Sequence, residues 1–265
     1  MRISRKKIFE TALPWIIPVV MLLVWISLSD SGLIPTYLLP KPREIAATAS
    51  DYLFRSPGDA PYAGRFWTDA SASLIRVGGG FGLAVAFGIP LGLISGRLPF
   101  AQKLMSTFVN GVRAVPGICW LPIALVWFGI GLKTTIFLVA LAAFFPIYIN
   151  TAAGARQINP ILLQSGAMMG VTRLRGMVSV LLPGIMPDLV TGLRLGLGIS
   201  WAYLVLGELT GVPDGLGAVI MDARMLGRID MIILGIIIIA IIGRLSDKLL
   251  MFTLRTLFKS ARRMG

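Results

Sequence analysis

Three arginines set inside long apolar runs, Arg76, Arg113 and Arg194, are the side chains best placed for specific chemistry. An ionised group at the centre of a bilayer costs about 2.5–3.5 kcal/mol on insertion scales, so each needs a partner or a watery cavity. Arg194 falls about 15 Å into its run at 1.5 Å per residue. Arginines lining a lumen would favour an anionic solute such as a sulfonate, nitrate or carboxylate. The alternative is structural: the guanidinium groups bond helix carbonyls or pair with Asp188 and Glu208, which share a run with Arg194. Trp120, Trp127 and Trp201 carry the same two readings, as lumen lining or as interface anchors and core.

Other chemistries find no support. The chain has no histidine for metal binding or acid–base work, and no Ser or Cys nucleophile stands near a base. No catalytic or metal-ligating residue is therefore expected, and no cofactor within this chain. Cys119 is the single cysteine, so an intrachain disulfide is impossible. The nearest approach to a phosphate loop is Gly129-Ile130-Gly131-Leu132-Lys133-Thr134-Thr135. A Walker loop needs Gly directly before Lys and a preceding strand. Here Leu132 intervenes and the flanks are apolar. A net charge of +13 raises nucleic acid as a partner, but the basic residues form no stripe among stacking aromatics. They gather at the ends of apolar runs.

Composition explains that placement. Charged residues make up 14% of the 265 and hydrophobic ones 56%, whereas a soluble domain is about 25% charged. Mean hydropathy is +0.83, and the solvent for most of this chain is lipid. Six stretches are long enough to cross about 30 Å of hydrocarbon: 13–28, 73–96, 108–131, 135–154, 185–209 and 231–254. The first follows the basic run Arg2, Arg5, Lys6, Lys7 and lacks a small-residue cleavage site, so it reads as a retained helix. Assigning connections alternately places fifteen Lys and Arg on one side. The other receives seven (Lys41, Arg43, Arg55, Arg65, Lys133, Arg224, Arg228), interleaved with acids. The richer side is cytoplasmic, which puts both termini there.

Glycines recur at packing intervals: Gly78 and Gly82, then Gly88, Gly92 and Gly96, then Gly192 and Gly196. Such spacing lets helix backbones approach closely in lipid. Pro90, Pro116, Pro122, Pro146 and Pro187 interrupt the runs. A static bundle and one that moves between two arrangements both fit this pattern. On the outer side, Ile45, Ala49 and Leu53 share a helical face after Pro42, predicting a short interfacial helix. Residues 211–230 suit a loop plus a short helix. On the inner side, residues 164–183 (QSGAMMGVTRLRGMVSVLLP) form a polar, basic hinge. Asn159 can cap a helix carrying Pro160 in its first turn, Gly170 can end it, and Thr172 can cap a second helix running to Pro183.

That hinge resembles the cytoplasmic loop of ABC importer permeases, whose pattern is Glu-Ala-Ala-x-x-x-Gly, nine residues, then Ile-x-Leu-Pro. Here nine residues separate Gly170 from Val180-Leu181-Leu182-Pro183, while Gln164-Ser165-Gly166 replaces Glu-Ala-Ala. Residues 113–131, 191–211 and 215–243 are similar to the nitrate/sulfonate/taurine branch of these permeases. The resemblance implies an all-α polytopic membrane protein: six transmembrane helices in 13–254, a coupling loop at about 155–184, a short extracytoplasmic helix, and cytoplasmic tails at 1–12 and 255–265. It implies no enzyme in this chain, with ATP and Mg bound by two partner ATPase subunits. A second permease chain, an extracytoplasmic solute-binding protein and membrane lipid complete the partners, in the inner membrane. ATPase coupling falls on Pro160, Leu163, Gln164, Ala167, Met168, Gly170, Val171 and Pro183. The solute pathway falls on Arg194, Arg113, Arg76, Trp120, Trp201 and Glu208. A secondary transporter and a membrane scaffold are the rival classes, and neither accounts for the spaced Gly to Val-Leu-Leu-Pro block.

Overall fold

The computed structural model describes residues 5–56, 58–59 and 61–258, and every regular element among them is helical. Arg2, Lys259, Arg262 and Arg263 lie outside the described residues, as do the side chains of residues 5–12, Leu163, Ala167 and Arg173. Two compact units emerge, one from residues 1–66 and 219–236, the other from 67–218 and 237–265.

The first unit holds α1 (Arg5–Asp30) and α2 (Pro42–Phe54). Helix α1 begins within the stretch expected as a tail and accommodates Pro14 and Pro18. Its end is tied to the following loop: the Trp25 indole donates to the Pro40 carbonyl at 3.2 Å, and the Lys41 ammonium meets Asp30 at 2.8 Å. That hydrogen bond holds the Lys41 pKa above its ordinary value. Helix α2 is the predicted short helix. Pro42 occupies its first turn, where the absent N–H has no helical partner to lose. The Glu44 carboxylate accepts from the Lys41 backbone N–H at 3.2 Å. Ile45 and Tyr52 are buried, with Ala49 and Leu53 half-buried beside them. Thr48 donates to Asp230 at 2.7 Å, and Asp230 also receives the Arg228 guanidinium at 2.6 Å.

The second unit is built around α6 (Leu132–Gln157), which lies between α3 (Phe66–Arg97) and α10 (Met186–Glu208). Glycine packing brings them together at the expected Gly88, Gly92, Gly96, Gly192 and Gly196. Gly78 and Gly82, however, face open space, and Gly80, two positions along the helix from each, makes the contact there. A Cβ on Gly80 would stand 2.5 Å from Val139, on Gly92 2.7 Å from Thr151, and on Gly96 2.6 Å from Ala155. Both series advance in step, so α3 and α6 run parallel. Against α10 the order reverses. A Cβ on Gly192 would meet Asn150 at 2.9 Å, on Gly196 Ile147 at 3.0 Å, and on Gly207 Thr135 at 2.8 Å. Helix α10 is therefore antiparallel to α6. Ile147, Leu181, Ile185, Met186 and Leu193 are buried together in the core.

Parallel α3 and α6 require the chain between them to return across the membrane. The sequence predicts a third span over 108–131 interrupted by Pro116 and Pro122, and the structure shows how far the interruption goes. The segment is α4 (Pro99–Ala114), a 3₁₀ turn (Gly117–Trp120) and α5 (Leu121–Phe128), bent by 90° at the junction. Pro116 supplies no N–H to continue α4. Among the described residues five helices are long and apolar enough to cross a bilayer, and six crossings are reached when the bent pair counts as one span. Next, the phosphate-loop-like stretch is the α5–α6 turn. Gly129 and Gly131 adopt positive φ, and the Thr134 hydroxyl bonds the Gly129 and Ala124 carbonyls.

The hinge folds as two short helices, as predicted. The first is α7 (Pro160–Met168). After Gly170 come α8 (Arg173–Gly176), a π-helical turn (Met177–Leu181) and α9 (Leu182–Gly184). Beyond α10 follow α11 (Leu216–Met225), the predicted outer helix, and α12 (Ile229–Leu257).

Candidate functional site

Of the residues expected on a solute pathway, the structure brings Arg113 and Trp120 to one cavity and places the others elsewhere. The cavity, about 490 Å³, lies beside the break between α4 and α5. Irregular backbone at membrane depth is tolerated where it is buried in protein or lines a watery space. Arg113 enters from the last turn of α4 and Trp120 from the 3₁₀ turn. Leu195, Ile199 and Tyr203, four apart and so on one face of α10, form a second wall. Helix α6 contributes Asn150, whose amide donates to the Pro146 carbonyl at 2.8 Å. Nothing in the sequence singles out Tyr203 or Asn150. Only Pro116-Gly117 within an apolar run signals the break. The reason for a glycine there is tertiary: a Cβ on Gly117 would fall 1.6 Å from the Tyr203 hydroxyl oxygen.

Arg76 and Glu208 lie together, as the pairing alternative allows, in a sealed network. The Arg76 side chain is 6% exposed and that of Glu208 0%, and they bond at 2.7 Å. Arg76 also donates to the Asp214 backbone carbonyl at 2.7 Å and to the Asp214 carboxylate. Ser73 donates to Glu208 at 2.8 Å and accepts from the Leu216 N–H at 2.9 Å. The Gly217 N–H reaches Glu208 at 2.8 Å, and the Gly215 N–H reaches Asp69 at 3.0 Å. The group fixes the loop after α10 onto α3.

Arg194 pairs with neither Asp188 nor Glu208. It forms two bonds to Asp247 of α12, at 2.8 and 3.0 Å, with its side chain 46% exposed. Asp247 lies 53 positions away, beyond any local pattern. Trp201 is buried and donates to the Ser246 hydroxyl at 3.0 Å. Trp127 is exposed and packs edge-on against Phe128 and Phe137.

The residues expected to couple to an ATPase lie in a knuckle of a short helix, a glycine turn and a second helical stretch. Asn159 accepts from the Ile161 N–H at 3.0 Å, capping α7. Gly170 takes φ +79° and the Val171 N–H bonds back to the Gly166 carbonyl at 3.0 Å, the closing bond of a left-handed helix terminus. Gly176 N–H then bonds the Thr172 carbonyl at 2.8 Å, opening the second helix. Pro160 and Gln164 are exposed, Val171 and Pro183 half-buried. Met168 and Met169, 90% and 84% exposed, form the bare tip. At the root, Leu181, Ile185 and Met186 are buried in the core. Gly166, Val171 and Met177 share a second cavity of about 520 Å³ with Leu93 and Arg97 at the end of α3. Arg97 in turn donates to the Ala155 and Ile158 carbonyls, both at 3.3 Å, holding the end of α6.

Comparison with known proteins gives this geometry a context. Residues 88–262 match the family described as binding-protein-dependent transport system inner membrane component. The taurine transport system permease protein TauC of Escherichia coli is 33% identical over 229 residues, covering 86% of this chain and 82% of that protein. A permease protein of Bacillus subtilis named for aliphatic sulfonates transport is 30% identical over 244 residues, covering 92% and 86%. The nitrate import permease protein NrtB of Synechocystis is 33% identical over 181 residues, covering 68% and 66%.

Proposed function

The chain belongs to the family of binding-protein-dependent transport system inner membrane components, and we propose that it forms the solute pathway of an ABC importer and couples that pathway to partner ATPase subunits. The knuckle carries this reading. A short helix with a bare methionine tip, ended by a left-handed glycine and rooted in the core, is built to be gripped by a soluble partner and to pass movement into α10. Two ATPase subunits, binding ATP and Mg, would each hold one knuckle; a second permease chain, most simply an identical one, would complete the pathway. A solute-binding protein would deliver cargo on the outer side. Both termini would then be cytoplasmic, in the inner membrane, consistent with the basic residues at the ends of the spans.

For the pathway itself we favour Arg113 and Trp120, the two predicted residues that share a cavity. A cation without a carboxylate partner among the described residues suits an anionic cargo, the class to which the sulfonate and nitrate names of two relatives also point. The test is reconstitution of this chain with its ATPase and binding protein in proteoliposomes. Uptake should require ATP and loaded binding protein together. Uptake driven by an ion gradient alone would assign a secondary transporter, and absence of flux a scaffold.

A further inference from the structure

Resting on the permease reading above, we infer that the cavity at the broken third span seats a monoanionic organic oxyanion with a short apolar tail, in preference to a zwitterion or a bare inorganic ion. The charge balance comes first. Arg113 is the one ionisable cation on the lining, and no acidic side chain is among the described residues that line it. One guanidinium fork matches one carboxylate- or sulfonate-type head. A solute carrying an ammonium as well would find no carboxylate on this lining to receive that second charge.

Polar donors cluster as the head requires. The Tyr203 hydroxyl has no hydrogen-bond partner among the described residues, and Asn150, fixed by its bond to the Pro146 carbonyl, retains a second N–H. Gly117 lets the Tyr203 ring close on the break, because any side chain there would displace it. The rest of the wall is apolar, with Phe145, Ile149, Leu195 and Ile199 prominent. Each methylene taken from water onto such a wall tightens binding roughly fourfold. A tailless anion forgoes that gain and leaves most of about 490 Å³ to water.

The experiment uses the full-length chain in lipid nanodiscs and saturation-transfer NMR with propane-1-sulfonate as probe, with butanoate, taurine and nitrate as competitors. The alkyl protons of propane-1-sulfonate should be saturated, and butanoate should displace it. Taurine and nitrate should need more than tenfold higher concentration to do so. Arg113→Gln should weaken the probe at least tenfold, Arg113→Lys less, Gly117→Ala several-fold, and Arg244→Gln not at all. Melting temperatures of the variants show that each is folded. The seat is overturned if taurine or nitrate competes on equal terms, if Arg113→Gln binds as the parent does, or if no probe is saturated. ATP-dependent uptake by the reconstituted assembly is the separate readout for the permease reading, which stands or falls on that result whatever the cavity binds.

Discussion

At the scale of single residues, two arginines that look alike in the sequence behave differently because their surroundings differ. Arg76 is sealed with Glu208, and removing one partner of such a pair strands a buried charge at a cost of about 3–5 kcal/mol. Arg76→Gln should lower unfolding stability in detergent by about that amount, and Glu208→Gln by less, because the Asp214 carboxylate still receives the guanidinium. The double variant, with two neutral amides in hydrogen-bond reach, should lose less than the two single losses added together. Strictly additive losses would mean that the two side chains do not act as a unit. Arg194 lies at the other extreme. Its partner Asp247 also receives Arg244 at 3.3 Å, so that carboxylate keeps a cation when Arg194 is removed. Arg194→Ala should therefore barely move the melting temperature and leave the KM for uptake unchanged. A tenfold rise in KM would restore Arg194 to the pathway.

Between elements, the α3–α6 contact depends on having no side chain at three glycines. A Cβ at Gly92 would stand 2.7 Å from Thr151 and 2.9 Å from the Tyr148 carbonyl, and a backbone carbonyl cannot rotate away. Gly92→Val should cost at least the 1–3 kcal/mol typical of overpacking. Gly82→Ala, with nothing within 4 Å, should leave the melting temperature almost unchanged. Equal effects at the two sites would refute the packing register. The Gly92 and Gly96 part of this contact was legible in the sequence because small residues four apart are a local signal, as were the spans, the α2 helix and the capped hinge. The Gly78 and Gly82 pair was not a contact, and Gly80 packs in its place. The bend between α4 and α5 was not. Pro116 ends α4 and the space left by Tyr203 of another helix admits only a glycine at 117, while apolar periodicity runs through the break without registering it. For the same reason Asp247 and Asp214 were not foreseen as arginine partners: both meet their arginines only after distant segments fold. Sequence spacing located Arg113 and Trp120, while the shape of their cavity had to come from the packed helices.

For the whole molecule, the knuckle must be stiff at its root and free at its tip if a partner is to move the spans through it. The root meets the first condition, with Leu181, Ile185 and Met186 buried and Arg97 holding the end of α6. Gly170 is the joint. A Cβ there would meet no neighbour within 4 Å, but any residue other than glycine would have to hold φ near +79°, at about 1–2 kcal/mol. The strain falls on the joint and not on the spans, so Gly170→Val should keep the melting temperature within a few degrees. Stimulation of the ATPase by loaded binding protein should nonetheless fall at least fivefold, because the joint no longer sets the angle between α7 and the second helix. A second measurement separates loss of grip from loss of transmission. Met168 is exposed at the tip and Cys119 is the only cysteine to remove, so Met168→Cys in a Cys119→Ser background offers a single thiol for cross-linking. That thiol should cross-link to the ATPase subunit in the assembled transporter, and should still do so when Gly170→Val is added if the partner grips the tip but the joint transmits poorly. Cross-linking lost together with stimulation would instead make Gly170 part of the docking surface. Unchanged stimulation in Gly170→Val would show that the movement reaches the membrane by another route.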